Sequence, residues 1–180
     1  MNKKDYEGIK MIPEDCSDIR FALLKEGKRI LYVFGVNPST ATDTYSDRTM
    51  TKVINYIKDK YDGFVMMNLY PLRSTDPSAL PKNMDKELHQ KNLEHIWEIM
   101  GNTKNPEVLM AFGDSIGKTP YLMKCLDDII KMLQPLNPQW KQIGNPTKLG
   151  NPRHPSRTAY SLDILDFDMF NYIKRHKRHH

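Results

Sequence analysis

The apolar positions of this chain alternate between two rhythms, one suited to strands and one to helices. Residues 29–36 form an unbroken run of strand-forming side chains closed by Asn37-Pro38, the pattern of a strand buried on both faces. Residues 64–69 and 108–112 repeat that pattern, and residues 140–143 give a weaker fourth strand. Between these runs the spacing changes. Met50, Val53, Ile54, Ile57 and Tyr61 recur at helical intervals over residues 47–62, with Asp47 or Thr49 placed to cap the start and Gly63 to end it. Leu88, Leu93, Ile96, Trp97 and Met100 mark a helix opening near Asn83 or Asp85, and Leu122, Cys125, Leu126, Ile129 and Leu133 mark another. A last helix is expected over residues 163–174. Trp97 and the methionines at 66, 67 and 110 fall at core spacing and read as packing. Strands alternating with helices predict an α/β fold, a three-layer αβα sandwich around a central, mostly parallel four-stranded sheet. Such sheets hold ligands beyond the carboxyl ends of their strands.

Those strand ends carry more chemistry than plain connections require. Gly35-Val36-Asn37-Pro38-Ser39-Thr40 follows the first strand, and Asn68-Leu69-Tyr70-Pro71-Leu72-Arg73-Ser74-Thr75 ends the second. Phe112-Gly113-Asp114-Ser115 follows the third, and the loop over residues 144–157 contains Lys148, Arg153, His154, Ser156 and Arg157. Amides, one imidazole and several guanidiniums on one rim suit a flat heterocycle and an anion. Asn68, at the end of an apolar strand, needs partners for both its amide atoms if buried. A base edge supplies them, as does a bridging backbone. No nucleophile elbow, phosphate loop or dinucleotide-binding turn is present. Carboxylates near the rim are few, chiefly Asp43, Asp47, Asp76 and Asp114, with no spacing of a catalytic metal site, so neither metal nor cofactor is expected. Asp47 reads as a helix cap rather than a base.

Bulk properties narrow the setting. The 180 residues suit a single domain, 1–180, with a core over about 28–174 and a basic tail over 174–180 expected to be frayed. A net charge of +5 makes polyanions plausible partners, though much of the excess lies in that tail. No window is apolar enough to span a bilayer, so no membrane partner is expected. The amino terminus lacks a signal-like pattern, and the two cysteines, Cys16 and Cys125, form no paired motif. Reduced thiols and a cytoplasmic location are the expectation.

Asn37-Pro38-Ser39, Asn68-Leu69, Arg73-Ser74-Thr75-Asp76-Pro77 and Gly150-Asn151-Pro152-Arg153-His154-Pro155 follow in the order seen in the domain-of-unknown-function family numbered 1643. The chain resembles that family over about residues 30–160. More distantly it resembles the uracil-DNA glycosylase superfamily. Gly35-Val36-Asn37-Pro38 is similar to the Gly-Ile-Asn-Pro loop of the mismatch-specific enzymes, and residues 64–68 to the strand whose terminal asparagine reads the pyrimidine. Residues 108–117 are similar to an apolar strand followed by glycine, and His154-Pro155-Ser156 matches the superfamily's His-Pro-Ser loop.

The resemblance implies that Asn37 positions the attacking water and His154 bonds the departing base. It implies base or nucleotide contacts from Gly35, Pro38, Ser39, Tyr45, Asn68, Arg73, Thr75 and Gly113, with Tyr45 the candidate stacking ring. Phosphate or nucleic-acid contacts fall to Lys148, Arg153, Ser156 and Arg157. Three departures stand out. Position 37 is Asn rather than Asp, no activating carboxylate is evident beside the water, and Arg157 stands where a wedge would place an apolar side chain. The first reading is excision of a damaged or modified base in DNA. The alternatives are a non-catalytic pocket for a nucleotide or modified nucleoside, and a hydrolase or transferase of free nucleosides.

Overall fold

The computed structural model describes residues 6–15 and 18–177. Seven strands and four helices follow in the order β1 Ile9–Ile12, β2 Ala22–Lys25, β3 Ile30–Gly35, α1 Arg48–Ile57, β4 Gly63–Asn68, α2 Lys86–Met100, β5 Glu107–Met110, α3 Leu122–Leu133, β6 Gln139–Ile143, β7 Ile164–Asp166 and α4 Met169–Lys177. The four strands read from the sequence are present and run parallel at the centre, in the order β4-β3-β5-β6. The sheet is larger and more mixed than the expected four-stranded one. Antiparallel β2 and β1 extend it beyond β4, and antiparallel β7 extends it beyond β6.

These edges escaped the sequence pattern because each is three or four residues long and carries no run of alternation. Residues ahead of 28 contribute to the interior, since Tyr6, Ile9, Met11, Ala22 and Leu23 are buried. Residues 164–166, expected to begin the last helix, pair instead with β6, and the helix starts at Met169. It runs on into the supposed frayed tail, where the His176 ring packs on Tyr172; residues 178–180 and Cys16 lie outside the described residues.

Alternate residues of the central strands feed two apolar layers. Tyr32, Phe34, Val65, Met67, Val108 and Met110 pack with Ile96 and Met100 of α2, with Leu122, Leu126, Ile129 and Leu133 of α3, and with Tyr172 of α4. Leu31, Val33, Phe64, Met66 and Leu109 face the other way, onto Met50, Val53, Ile54 and Ile57 of α1. The period-two alternation of a strand and the period-3.6 stripe of a helix thus meet on each face. α2 departs from its expected stripe. Its buried residues are His89, Asn92, Ile96 and Met100, while Trp97 is 44% exposed. The rotation is set by polar anchors, because His89 Nε2 lies 3.0 Å from Asp128 on α3 and Asn92 Nδ2 donates to the Asn68 and Leu69 carbonyls at 3.0 and 3.3 Å.

β3 sits between β4 and β5, and the chain leaves it toward one neighbour before returning to the other. That arrangement is the topological switch point at which open α/β sheets bind ligands. One contact there controls the long loop after β6. Gly113 holds φ +58°, and a Cβ on it would lie 2.9 Å from the His154 Cβ and 3.2 Å from the His154 nitrogen. Gly113→Ala is therefore expected to cost about 1–2 kcal/mol in left-handed backbone alone, and to push the His154 loop away from β5. A melting temperature lowered by roughly 2–8 °C checks the first effect. Loss of ligand binding in the folded variant checks the second.

Candidate functional site

A cleft of about 290 Å³ opens at the carboxyl ends of β3 and β4. Its walls come from the loops after β3, β4, β5 and β6, from the start of α1, and from Arg20 just ahead of β2. Asn37, Asn68 and His154, read from three separate strand-end loops, all line it. So do Gly35, Ser39, Thr75, Ser156 and Arg157 from the sequence reading, together with Asp47, Arg48, Thr49, Ser74, Pro77 and Ser115. Val36, Met50 and Met66 supply apolar surface.

Asn68 lines the cleft from the end of β4. It is 1% exposed, and neither its Oδ1 nor its Nδ2 has a hydrogen-bond partner. Leaving a buried amide unsatisfied costs about 1–3 kcal/mol for each group. The position is held from behind, because Asn92 takes the Asn68 backbone carbonyl and Gly35 stands opposite Asn68 in the β3–β4 register. A Cβ at Gly35 would come within 2.9 Å of the Asn68 Oδ1 and of the Met66 Cε, so only glycine leaves room for that amide.

Asn37 is fixed by its amide nitrogen, which donates to the carbonyls of Ser74, Pro38 and Leu72 at 2.8, 3.1 and 3.4 Å. Its Oδ1 is the end left to accept a bond from a water or ligand. These bonds, with Ser74 N–H on the Pro38 carbonyl at 2.8 Å, stitch the loops after β3 and β4 together.

His154 accepts from the Ser156 backbone N–H at 3.3 Å, and its Nδ1 lies 2.8 Å from the Ser156 hydroxyl. That geometry puts the lone pair on Nδ1 and the proton on Nε2. Burial, reinforced by the Arg157 guanidinium, lowers the imidazole pKa below its ordinary 6.5, with Asp47 opposing. The ring is thus a neutral donor. Its loop is anchored at both ends. Thr147 and Asn151 donate to Asp114 at 2.6 and 2.8 Å while Tyr172 donates to Asn151, and Lys52 and Tyr56 of α1 bond to Thr158.

Asp47 caps α1, its Oδ1 accepting from the Met50 N–H at 2.9 Å. It also lines the cleft, so one carboxylate shares the cavity with Asn37 and His154. Arg20 is 2% exposed, donates to the Ala41 carbonyl at 2.6 Å, and has no partner for its Nε. Burial and then the neighbouring Arg73 lower its pKa from 12.5 to about 10, which leaves it cationic at neutral pH. Sequence reading passed over Arg20. The available signal was a lone cation in the apolar stretch Ile19-Arg20-Phe21-Ala22-Leu23-Leu24.

Several expected contacts lie elsewhere. Arg73 does not line the cleft: its guanidinium binds the Ser39 and Ala41 carbonyls at 2.8 and 3.2 Å and braces the loop from behind. Pro38 serves that loop through its carbonyl. Tyr45 is 63% exposed and is not among the residues lining the cleft. Gly113, Lys148 and Arg153 line an adjoining depression of about 360 Å³ that shares Ser115, His154 and Arg157 with the cleft. Arg153 there donates to the Asn145 carbonyl at 2.7 Å. Among the described residues no cluster of three or more His, Cys, Asp or Glu is placed to hold a metal, and no helix is long and apolar enough to cross a membrane. Cys125 is buried, its thiol pushed up to about 12 by desolvation.

No curated protein and no solved structure matches this chain. The model of the family described as protein of unknown function (DUF1643) matches residues 20–156, from Arg20 through the His154 loop. That span covers most of the chain and every residue lining the cleft except Arg157, and the chain belongs to the DUF1643 family.

Proposed function

We propose that the cleft binds a nucleobase by its hydrogen-bonding edge and hydrolyses the N-glycosidic bond of a damaged or modified nucleotide, in the manner of the uracil-DNA glycosylases that the loops resemble. The observation that carries this reading is the Asn68 amide, buried and unpartnered at the end of a polar cleft. A carboxamide presents one acceptor beside one donor, and the edge of a base presents the complementary pair. The ligand then removes the cost of the unsatisfied amide, which concentrates binding energy at the base.

Breaking the bond sends its electron pair to the base and leaves positive charge on the sugar, so catalysis needs donors on one side and water on the other. His154 Nε2–H stabilises the departing base without having to lose a charge. Asn37 Oδ1 holds the water, whose oxygen bonds to the anomeric carbon and whose proton passes to the Asp47 carboxylate. Val36, Met50 and Met66 give the cavity its apolar surface.

A mass-spectrometric screen for free base, released from oligonucleotides and nucleotides bearing varied modifications, tests the reaction. Release is expected from the native chain and is expected to vanish in an Asn37→Ala, His154→Ala double variant. Retention of a nucleotide without release would assign the cleft to binding alone. Asp47→Asn separates capping from chemistry, since Asn caps about as well as Asp. Its melting temperature should stay near the native value while release falls by roughly 10²-fold or more; unchanged release would remove Asp47 from the mechanism.

The lowered imidazole pKa gives a pH signature. The unfolded chain takes up the His154 proton before the folded chain does, so this contribution to stability is complete above 6.5 and is lost as pH falls toward the depressed value. Activity should fall over the same acidic range, because a second ring proton would disrupt the Ser156 bond. Melting curves and release rates measured across that range check both, and His154→Gln should flatten the stability difference.

A further inference from the structure

Arg20 has no place in the mechanism above, yet its surroundings are costly. A guanidinium taken almost wholly out of water loses several kcal/mol of hydration unless a counter-charge replaces it. Among the described residues no carboxylate forms an ion pair with Arg20, although the Asp47 charge partly offsets the repulsion from Arg73, and the guanidinium is bonded to the neutral Ala41 carbonyl. Arg73, bonded to the same carbonyl, adds repulsion. The Nε is unpartnered and the residue lines the cleft.

Arg20 shares the cleft wall with the start of α1, whose capping Asp47 acts on its charge. Arg48 and Thr49 occupy its first turn and line the same cleft. The leading N–H groups of a helix have no partners inside it, and Asp47 satisfies only the Met50 N–H, so the dipole end stays open to an anion. Across the whole cleft three guanidiniums, Arg20, Arg48 and Arg157, stand against the single carboxylate of Asp47. The volume of about 290 Å³ fits one nucleoside unit rather than a length of strand, since pockets for small molecules begin at roughly 300 Å³.

We propose that Arg20, Arg48 and the first turn of α1 form an anion subsite that takes a phosphate attached to the nucleoside whose base Asn68 reads. This inference rests on the nucleobase reading and adds the chemical class of the ligand: a phosphorylated nucleoside, not a free base or a neutral nucleoside. Arg20 is suited to the role because its planar fork matches two phosphate oxygens at once, which an ammonium does not do.

Calorimetric titration of the full chain tests it with four probes: inorganic phosphate, the deoxynucleosides, their 5′-monophosphates, and an oligonucleotide with internal phosphodiesters only. The expected result is a phosphorylated form bound roughly tenfold or more tighter than its nucleoside, with the gain abolished in Arg20→Met and reduced in Arg48→Gln. A gain confined to monophosphates assigns the phosphate to a free nucleotide, and a gain shared by the oligonucleotide assigns it to a strand. Equal binding of nucleoside and phosphorylated forms overturns the subsite while leaving the base reading intact. Binding of inorganic phosphate with no affinity for any nucleoside or nucleotide overturns the ligand class and the base reading together. Asn68→Ala should lose discrimination among bases yet keep the phosphate gain, which distinguishes the two failures. If Arg20→Met does not fold, exposed Arg48 carries the test, and an undiminished gain in Arg48→Gln overturns the subsite.

Discussion

The parallel pairing of β3 with β4 sets Gly35 opposite Asn68, and the cleft depends on what that pairing permits. An amide that finds partners in its own chain cannot select a ligand. Here the missing Cβ at Gly35 gives Asn68 a seat, Asn92 fixes its backbone, and no protein group reaches its side-chain oxygen or nitrogen. The β3–β4 ladder is paired up to Gly35 and Asn68 while the Asn68 side chain at its end is left in deficit. Local frustration of this kind is tolerated where the surrounding core is strong, and Phe34, Met67 and Leu69 around it are fully buried.

The charges of the cleft are divided with similar economy. His154 is kept neutral by burial and by Arg157, so it can donate without repelling nearby guanidiniums. Asp47 caps α1 through one oxygen and lines the cleft as well. Arg73 donates to the Ser39 and Ala41 carbonyls and to the Met11 sulfur and stays off the cleft wall, whereas Arg20, beside it, lines the cleft, and each keeps an unpartnered Nε. Two arginines that meet at one carbonyl thus have opposite duties, and burial alone does not separate them. What separates them is whether the side chain reaches the cleft.

The parallel core was legible because its strands are continuous apolar runs, a signal that survives without any partner information. The edges were not, since β1, β2 and β7 owe their conformation to pairing with strands already in place rather than to their own residues. The α2 stripe misled for a related reason: His89 and Asn92 are buried by tertiary hydrogen bonds that no hydropathy pattern encodes, and Trp97 is turned outward as a result. At the cleft, Asn37, Asn68 and His154 could be found from their positions at strand ends. The outward position of Tyr45 could not be read from sequence, because an aromatic in a strand-end loop looks the same whether its ring lines a cavity or faces water. Arg20 was hidden by lying outside the parallel core, where ligand groups were not sought.

That location separates the cleft from the fold in one respect. Arg20 enters from the segment joined to β2, on the antiparallel edge of the sheet, and its main-chain N–H is tied to the Pro71 carbonyl at 3.0 Å. Edge strands open more readily than central ones, and such partial openings precede global unfolding. When this edge peels away, the parallel strands keep their layers but the cavity loses a wall. Opening of that edge alone would thus dismantle the cavity before the parallel strands lose their packing.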